Sequence, residues 1–372
     1  MMLGLLLRWL PHHMAAGGLG VDHWYWKLYL ETYWRERRFP PELPQYLLEE
    51  AQWYPPLFIL LVAHLPRIVF ERYSHLVGLM VDLFRLALCM VLIGWLSNSN
   101  SLAVGIAGLI YATTPIMVSY NVQLNPRGLG ALFLDLQVLL VFLLLSQGGP
   151  WWFWAAACLL GALVLLTHKM TTQLMVFLAL AGTLLAGDWR IIAIIPISMF
   201  VAWLISGGFY WKVLVAHWDI VTFWYRNWPW LMAHPVKDSP IYGESGHLAP
   251  GLFYQPGFKG ILRHVRYFFA YNPWAWFCLP LPMLMPTQGI LTTNVLFGWL
   301  CATLLFGILT IAIQQLRCIG AGYLYVYNTA LPAALLWSSA AVMPGRPPLV
   351  TTLLAFSRSE ERRVGKECRS RW

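Results

Sequence analysis

Residues 20–56 read GVDHWYWKLYLETYWRERRFPPELPQYLLEEAQWYPP, a polar and densely charged stretch in a chain that is otherwise mostly apolar. Within it, Asp22 and His23 follow a short apolar N-terminal segment and directly precede the aromatic triplet WYW. Trp and Tyr favour the level of the lipid headgroups in a membrane. A carboxylate and an imidazole are therefore predicted where a membrane helix meets water, which suits chemistry on a substrate carried by a lipid.

The composition predicts a membrane protein. Hydrophobic residues make up 59% of the 372 residues and charged residues 11%, with 21 Trp and a mean hydropathy of +0.60. Soluble domains carry more charge and fewer apolar residues. Runs of about 20 apolar residues can cross the hydrocarbon layer, and such runs are predicted at 76–96, 101–119, 128–146, 151–167, 171–187, 190–206, 268–285, 290–313 and 321–342. The fold class is an all-α polytopic membrane protein, and nothing predicts nucleic-acid binding.

The last fifteen residues, 358–372, read RSEERRVGKECRSRW and break abruptly from an apolar run. This string resembles the translation of a common sequencing adapter, so it is excluded from the fold, as a fusion scar would be. Without it the formal charge falls from +9 to +6. The native reading frame is expected to break off near Ser357, which leaves residues 1–357 as one transmembrane domain that is truncated at its C-terminus.

Two long polar loops are predicted to lie on the same face of the membrane, at 20–75 and 207–267. In the first loop, Lys27, Glu31 and Arg35 recur every fourth residue, which predicts a helix lying in the interface. The apolar run 57–65 is too short to span. The second loop is rich in aromatic residues and predicts interfacial helices that wall a site; there His217, Asp219 and Arg226 are candidate substrate contacts, although packing is the simpler interpretation for each.

Three short constellations between or within the apolar runs carry the remaining polar signal. Arg127, after Asn125 and Pro126, offers a planar donor group that matches phosphate oxygens. The alternative is an arginine that snorkels to the interface. The second constellation is the THKMTTQ sequence of residues 167–173, in which His168, Lys169 and Gln173 suit an anionic headgroup. The alternative without a functional role is a lysine in a turn that snorkels to the interface.

The third constellation is Asp82 with Arg85, three residues apart on an apolar helix. Charged residues inside membrane helices usually neutralise one another. We therefore expect this pair to neutralise itself along the helix, and substrate contact is the less favoured alternative.

Together these residues resemble the GT-C glycosyltransferases, membrane enzymes that use sugars on polyprenyl phosphate and include protein mannosyltransferases, lipid A aminoarabinose transferases and rhizobial lipopolysaccharide sugar transferases. The likeness rests on five features over most of residues 1–357. They are the GVD sequence at 20–22, YPPLF at 54–58, NPR at 125–127, GYLY at 322–325 and Pro332 in a late helix.

The resemblance implies a bundle of roughly 10 to 13 transmembrane helices with an active site on the extracytoplasmic face of a bacterial or archaeal cytoplasmic membrane. It implies inverting transfer of a sugar to a lipid, glycan or protein hydroxyl. Asp22 would be the catalytic base, and Arg127, His168 and Lys169 would contact the donor phosphate. His23, Tyr54, Asn125 and Gln173 join the loop residues as candidate substrate contacts. The family often has an acidic pair where this chain has Asp22-His23, so a divalent metal is left open.

Two further interpretations and one conflict remain. A transporter or flippase of a lipid-linked or anionic solute would also use these cations, but transporters usually show internal repeats, and no such repeat is seen here. A non-catalytic assembly factor would tolerate replacement of Asp22. Most Lys and Arg lie on the polar-loop face, which the positive-inside rule would place in the cytoplasm; the resemblance favours the opposite side.

Overall fold

The computed structural model describes residues 1–14, 21–43, 51–147, 149–233, 238–239, 243–244, 258–284, 290–320 and 322–342. The segments 343–357 and 358–372 lie outside the described residues, as does most of the stretch between 234 and 257. The expectations for the C-terminal tail, and for the middle of the second loop, fall there and remain predictions.

Nearly all regular structure in the described ranges is helical, as predicted. The helices are α1 (Met2–Met14), α2 (Val21–Glu36), α3 (Leu57–Ala63), α4 (Arg67–Leu96), α5 (Ser101–Thr113), α6 (Pro115–Tyr120), α7 (Arg127–Gln147), α8 (Trp152–Leu165), α9 (Lys169–Ala186), α10 (Arg190–Ile205), α11 (Phe209–Ala233), α12 (Phe258–Tyr271), α13 (Pro273–Phe277), α14 (Leu281–Leu284), α15 (Ile290–Ala312) and α16 (Ala330–Val342). Two 3₁₀ helices, Gln314–Ile319 and Gly322–Thr329, precede α16. Asp238–Ser239 and Gly243–Glu244 form a two-residue antiparallel strand pair.

Within the part of the chain that the structure describes, four helices are long and apolar enough to cross a membrane. They are α4, α7 up to Leu145, α9, and α15 from Asn294. Three others for which spans were predicted, α5, α8 and α10, are apolar but have only 13, 14 and 16 residues. The predicted span 101–119 is divided because Pro115 disfavours a helical conformation at the residue before it, and Thr114 is extended, with φ −61° and ψ 117°.

The first polar loop begins with a helix, as its charge spacing predicted. α2 covers Val21–Glu36, and the ammonium of Lys27 lies 3.9 Å from a carboxylate oxygen of Glu31. The short run 57–65 forms the seven-residue α3. The two polar loops touch each other, because the rings of Phe39 and Trp53 each have centroids 5.3 Å from that of Phe209 at the start of α11. The first loop and the start of α11 therefore lie at the same end of the bundle.

The prediction that Asp82 pairs with Arg85 is wrong, because each of them forms an ion pair with a residue of another helix. Asp82 instead forms an ion pair with Arg8 of α1 and accepts a hydrogen bond of 2.9 Å from the Tyr111 hydroxyl of α5. The Arg8 guanidinium also donates to the Ala112 carbonyl at 2.6 Å. Burying a lone charge among apolar helices would be costly, and the contacts of Arg8 avoid that cost. Through them Arg8, which interrupts the first apolar run, joins α1 to α4 and α5.

Arg85 pairs with Asp135 of α7, a residue that the sequence interpretation did not single out. Its Nε and Nη2 donate to one carboxylate oxygen at 2.9 and 2.7 Å, and both side chains are fully buried. The guanidinium also lies over the ring of Tyr327, with its central carbon 5.0 Å from the ring centroid. Two interhelical ion pairs therefore replace the single intrahelical one, and α4 carries one member of each.

Candidate functional site

The YPP segment lies at the centre of the candidate site. The backbone amide of Leu57 donates to the carbonyl of Leu166 at 2.8 Å, which joins the start of α3 to the end of α8. This bond places Tyr54 beside the start of α9, where the Lys169 ammonium lies 5.2 Å from the centroid of the Tyr54 ring. On its other side, Tyr54 packs edge-on against Trp26 of α2 at 4.6 Å.

Asn125 joins the proposed base to the proposed phosphate contact. Its amide nitrogen donates to a carboxylate oxygen of Asp22 at 2.7 Å, and its amide oxygen accepts from the backbone N–H of Arg127 at 2.8 Å. In the same segment, His23 Nδ1 accepts from the backbone N–H of Leu124 at 3.2 Å. These contacts fix the start of α2 against the start of α7, so Asp22 and Arg127 are held by a single side chain.

An aspartate that stands just before a helix commonly caps its N-terminus, so this geometry also bears on a purely structural role for Asp22. The helix begins at Val21, so Asp22 lies inside the first turn of α2 rather than before a helix that starts at Trp24. Its carboxylate is half-buried and bonded to Asn125. A negative charge in this turn interacts favourably with the helix dipole. The hydrogen bond of the carboxylate, however, comes from Asn125 and not from a backbone N–H of α2.

Arg127 is buried, with 7% of its surface exposed, in the first turn of α7. Its guanidinium carbon lies 5.0 Å from the centroid of the Tyr120 ring, and Nη2 is 3.9 Å from the sulfur of Met170. Its Nε has no hydrogen-bond partner in the described ranges. Among the described residues, no carboxylate forms an ion pair with Arg127 or with Lys169.

His168 caps the N-terminus of α9. Its Nδ1 accepts from the Thr171 hydroxyl at 2.9 Å and from the Thr171 backbone N–H at 3.3 Å. Burial lowers the pKa of His168 well below its usual range, and the charges of Arg127 and Lys169 act in the same direction. The imidazole is therefore neutral and carries its proton on Nε2. A contact with a donor phosphate stays a prediction, in which His168 would act as an N–H donor and not as a cation.

Gly130 allows the first turns of α7 and α9 to approach each other. A Cβ atom at this position would lie 2.9 Å from the Cβ of His168 and 3.2 Å from the Thr171 hydroxyl oxygen. No side chain fits there without moving α9. Because Arg127 and Lys169 stand in these two first turns, the glycine holds their backbones close together.

Gln173 links α9 to two other elements. Its amide oxygen accepts from the Tyr325 hydroxyl at 2.7 Å, and its amide nitrogen donates to His217 Nε2 at 3.0 Å. Burial, together with the charge of Lys169, lowers the pKa of His217 to about 4, which keeps the ring neutral and able to accept. The predicted residues Gln173 and His217 thus belong to one hydrogen-bonded group.

The phenol of Tyr54 lies within electrostatic reach of the charged groups around it. Burial raises the pKa of Tyr54, the positive charge of Arg127 opposes the rise, and the negative charge of Asp22 adds to it. Both charges therefore act on the same phenol, beside the ring that Lys169 contacts. Asp22, Arg127 and Lys169, from three separate parts of the sequence, are brought together around Tyr54.

Two predicted contacts are not part of this group. Asp219 and Arg226 lie on α11 like His217, but both side chains are exposed. Each lies roughly on the opposite side of the helix from His217, since successive residues rotate by about 100°. A role for either in binding an acceptor would therefore involve the outer side of α11.

A second polar layer lies behind the site. The Tyr327 hydroxyl donates to the Asn121 amide oxygen at 2.6 Å, and the Tyr327 ring is the one over which Arg85 lies. Asn121 opens the short segment that carries Asn125 and leads to Arg127. The buried Arg85–Asp135 pair thus supports the segment that presents the candidate site.

The sequence did not identify every member of the site, and it left undecided whether the site uses a divalent metal. Tyr120, Met170 and Tyr325 contact the predicted residues. Met170 and Tyr325 lie inside the THKMTTQ and GYLY motifs but were not named as contacts, and Tyr120 lies shortly before Asn125. Within the described ranges, no group of three His, Cys, Asp or Glu side chains could hold a metal ion.

Comparison with known proteins adds no relative. No family model matches the chain, and neither a curated protein nor a solved structure does.

Proposed function

We propose that this protein is a multi-pass membrane glycosyltransferase of the GT-C type. It transfers a sugar from polyprenyl phosphate to a hydroxyl group of a lipid, glycan or protein at the extracytoplasmic face. The observation that carries the proposal is the grouping of Arg127 and Lys169, both without an ion-pair partner among the described residues, beside Asp22.

The two cations suit an anion for a second reason. Each stands in the first turn of a helix, α7 or α9, where the helix dipole also favours negative charge. A phosphate diester carries about one negative charge, and the departing polyprenyl phosphate carries up to two. Cations placed beforehand at this point stabilise the transition state more than the bound donor, which is the condition for a rate increase.

Asp22 supplies the second requirement. The acceptor hydroxyl is a weak nucleophile, and a carboxylate within hydrogen-bond reach can take its proton as the oxygen attacks. The new bond forms between that oxygen and the anomeric carbon while the bond from this carbon to the phosphate oxygen breaks. The electron pair leaves with the polyprenyl phosphate, the configuration inverts, and the proton remains on Asp22 until it passes to water.

The proposal is tested by binding of polyprenyl phosphate to the purified protein in lipid nanodiscs. A charged hydrogen bond contributes about 1.5–3 kcal/mol, so Arg127→Gln and Lys169→Gln are each expected to weaken binding roughly 10- to 150-fold. Arg190→Gln is the matched control, because Arg190 is an exposed cation paired with Asp188. Unchanged affinity in both site variants would leave the two residues as snorkelling anchors. A protein that carries the intact donor across the bilayer without cleaving it would be a flippase.

A further inference from the structure

Four tyrosines form a continuous aromatic surface beside Arg127. Tyr120 ends α6, Tyr267 and Tyr271 lie on α12, and Tyr323 lies on the second 3₁₀ helix. The rings of Tyr271 and Tyr323 are nearly parallel, with an interplanar angle of 9° and centroids 5.4 Å apart. Tyr120 meets Tyr271 edge-on at 6.4 Å, and Tyr267 lies 6.3 Å from Tyr323. All four side chains are half-buried.

This tyrosine surface borders the proposed phosphate site directly. The Arg127 guanidinium lies over the face of Tyr120, 5.0 Å from the ring centroid. Tyr120 in turn contacts Tyr271, which stacks on Tyr323, so the surface extends from Arg127 without a break. A phosphate bound by Arg127 would therefore have the tyrosines as immediate neighbours.

The chemistry of the surface favours a sugar ring. Four partly exposed phenols offer apolar faces together with polar hydroxyl tips, a combination that tyrosine brings to binding sites. A pyranose has the matching combination, since its C–H groups form apolar faces and its hydroxyl groups point outward from the rim.

We propose that Tyr120, Tyr271 and Tyr323 form the subsite for the pyranose ring of the donor. The inference rests on the proposed function, because the anomeric carbon is bonded to a phosphate oxygen and the sugar must lie next to whatever holds the phosphate. Tyr267 extends the same surface away from Arg127.

The test compares the binding of bare polyprenyl phosphate with that of polyprenyl phosphate mannose and polyprenyl phosphate 4-amino-4-deoxyarabinose. The wild type is expected to bind at least one glycosylated form more tightly than the bare phosphate. Tyr323→Leu should weaken binding of that form roughly 2- to 10-fold, the effect of losing one aromatic contact, and leave binding of the bare phosphate within about twofold. Tyr323→Phe keeps the ring and should retain most of the affinity.

Tyr73→Leu is the matched control, because Tyr73 is an exposed tyrosine in α4. Thermal unfolding, measured on the same samples, shows that each variant is folded. Equal weakening of the bare and glycosylated forms by Tyr323→Leu would assign the surface to the polyprenyl chain and overturn the proposal. A wild type that binds the bare phosphate as tightly as both glycosylated forms would overturn it too, while the phosphate site stands. A wild type that binds none of the three would refute the proposed function itself.

Discussion

Replacement of Asp22 by Asn separates a catalytic role from a structural one. An asparagine at this position can accept the same hydrogen bond from Asn125, now through its amide oxygen, and it stays in the first turn of α2. The loss is the difference between a charged and a neutral hydrogen bond, about 1 kcal/mol, together with a helix-dipole contribution of about 0.3–1 kcal/mol. We therefore expect a folded protein whose free energy of unfolding falls by about 1–2 kcal/mol.

The expected effect on sugar transfer is larger. An amide cannot take the proton of the acceptor hydroxyl, and loss of a positioned general base typically lowers the rate 10²- to 10⁴-fold. This range corresponds to about 3–5.5 kcal/mol in the activation barrier. Because Arg127 and Lys169 remain in place, the affinity for polyprenyl phosphate should stay close to that of the wild type.

The assay follows release of polyprenyl phosphate from a labelled polyprenyl phosphate sugar, in vesicles supplemented with a membrane extract that provides the acceptor. Donor binding and thermal unfolding are measured on the same samples. Glu31→Gln is the matched control, since it makes the same change of charge on the same helix at a residue paired with Lys27. If purified, folded Asp22→Asn keeps more than about a tenth of the wild-type rate, Asp22 is not the base.

Three further outcomes are expected from the structure. Gly130→Ala should lower the free energy of unfolding by about 1–3 kcal/mol through overpacking and weaken donor binding, whereas Gly105→Ala, with open space around its Cβ position, should not; equal melting temperatures would contradict this. Asp135→Leu should cost about 3–5 kcal/mol by leaving Arg85 without its partner, and adding Arg85→Met should restore most of the loss in denaturation experiments. The melting temperature should fall as the pH drops from about 6.5 to 4, because the unfolded chain protonates His168 and His217 in this range and the folded protein does not; His217→Gln should remove the part of this fall that His217 contributes.

Much of the candidate site could be predicted from the sequence because its residues stand at boundaries between polar and apolar segments. Asn125 and His168 lie just before helices, where polar side chains bond to free backbone N–H groups, and both do so. Tyr54 was named because it belongs to the YPPLF motif, and Gln173 because it ends the polar THKMTTQ stretch. Polar residues at such boundaries can be recognised in the sequence. The contacts that bring residues from separate boundaries together in space cannot.

The buried ion pairs could not be predicted in the same way. Asp82 and Arg85 are three residues apart, and local spacing alone favours a contact between them. Arg8 and Asp135 are 74 and 50 residues away from their partners. The observed pairing depends on which helices pack against α4, and the apolar pattern of α1 and α7 gives no information about that choice.

The contrast between these ion pairs and the site supports an anion as the missing partner. Arg8 and Arg85 lie deep among apolar helices, and each is neutralised by a carboxylate. Arg127 is nearly as buried, yet among the described residues it meets a tyrosine face and a methionine sulfur, neither of which carries a charge. Burying a guanidinium without a counter-charge costs free energy. Arg127 has no ion-pair partner among the described residues, and under the proposed function a phosphate bound from outside would offset this cost.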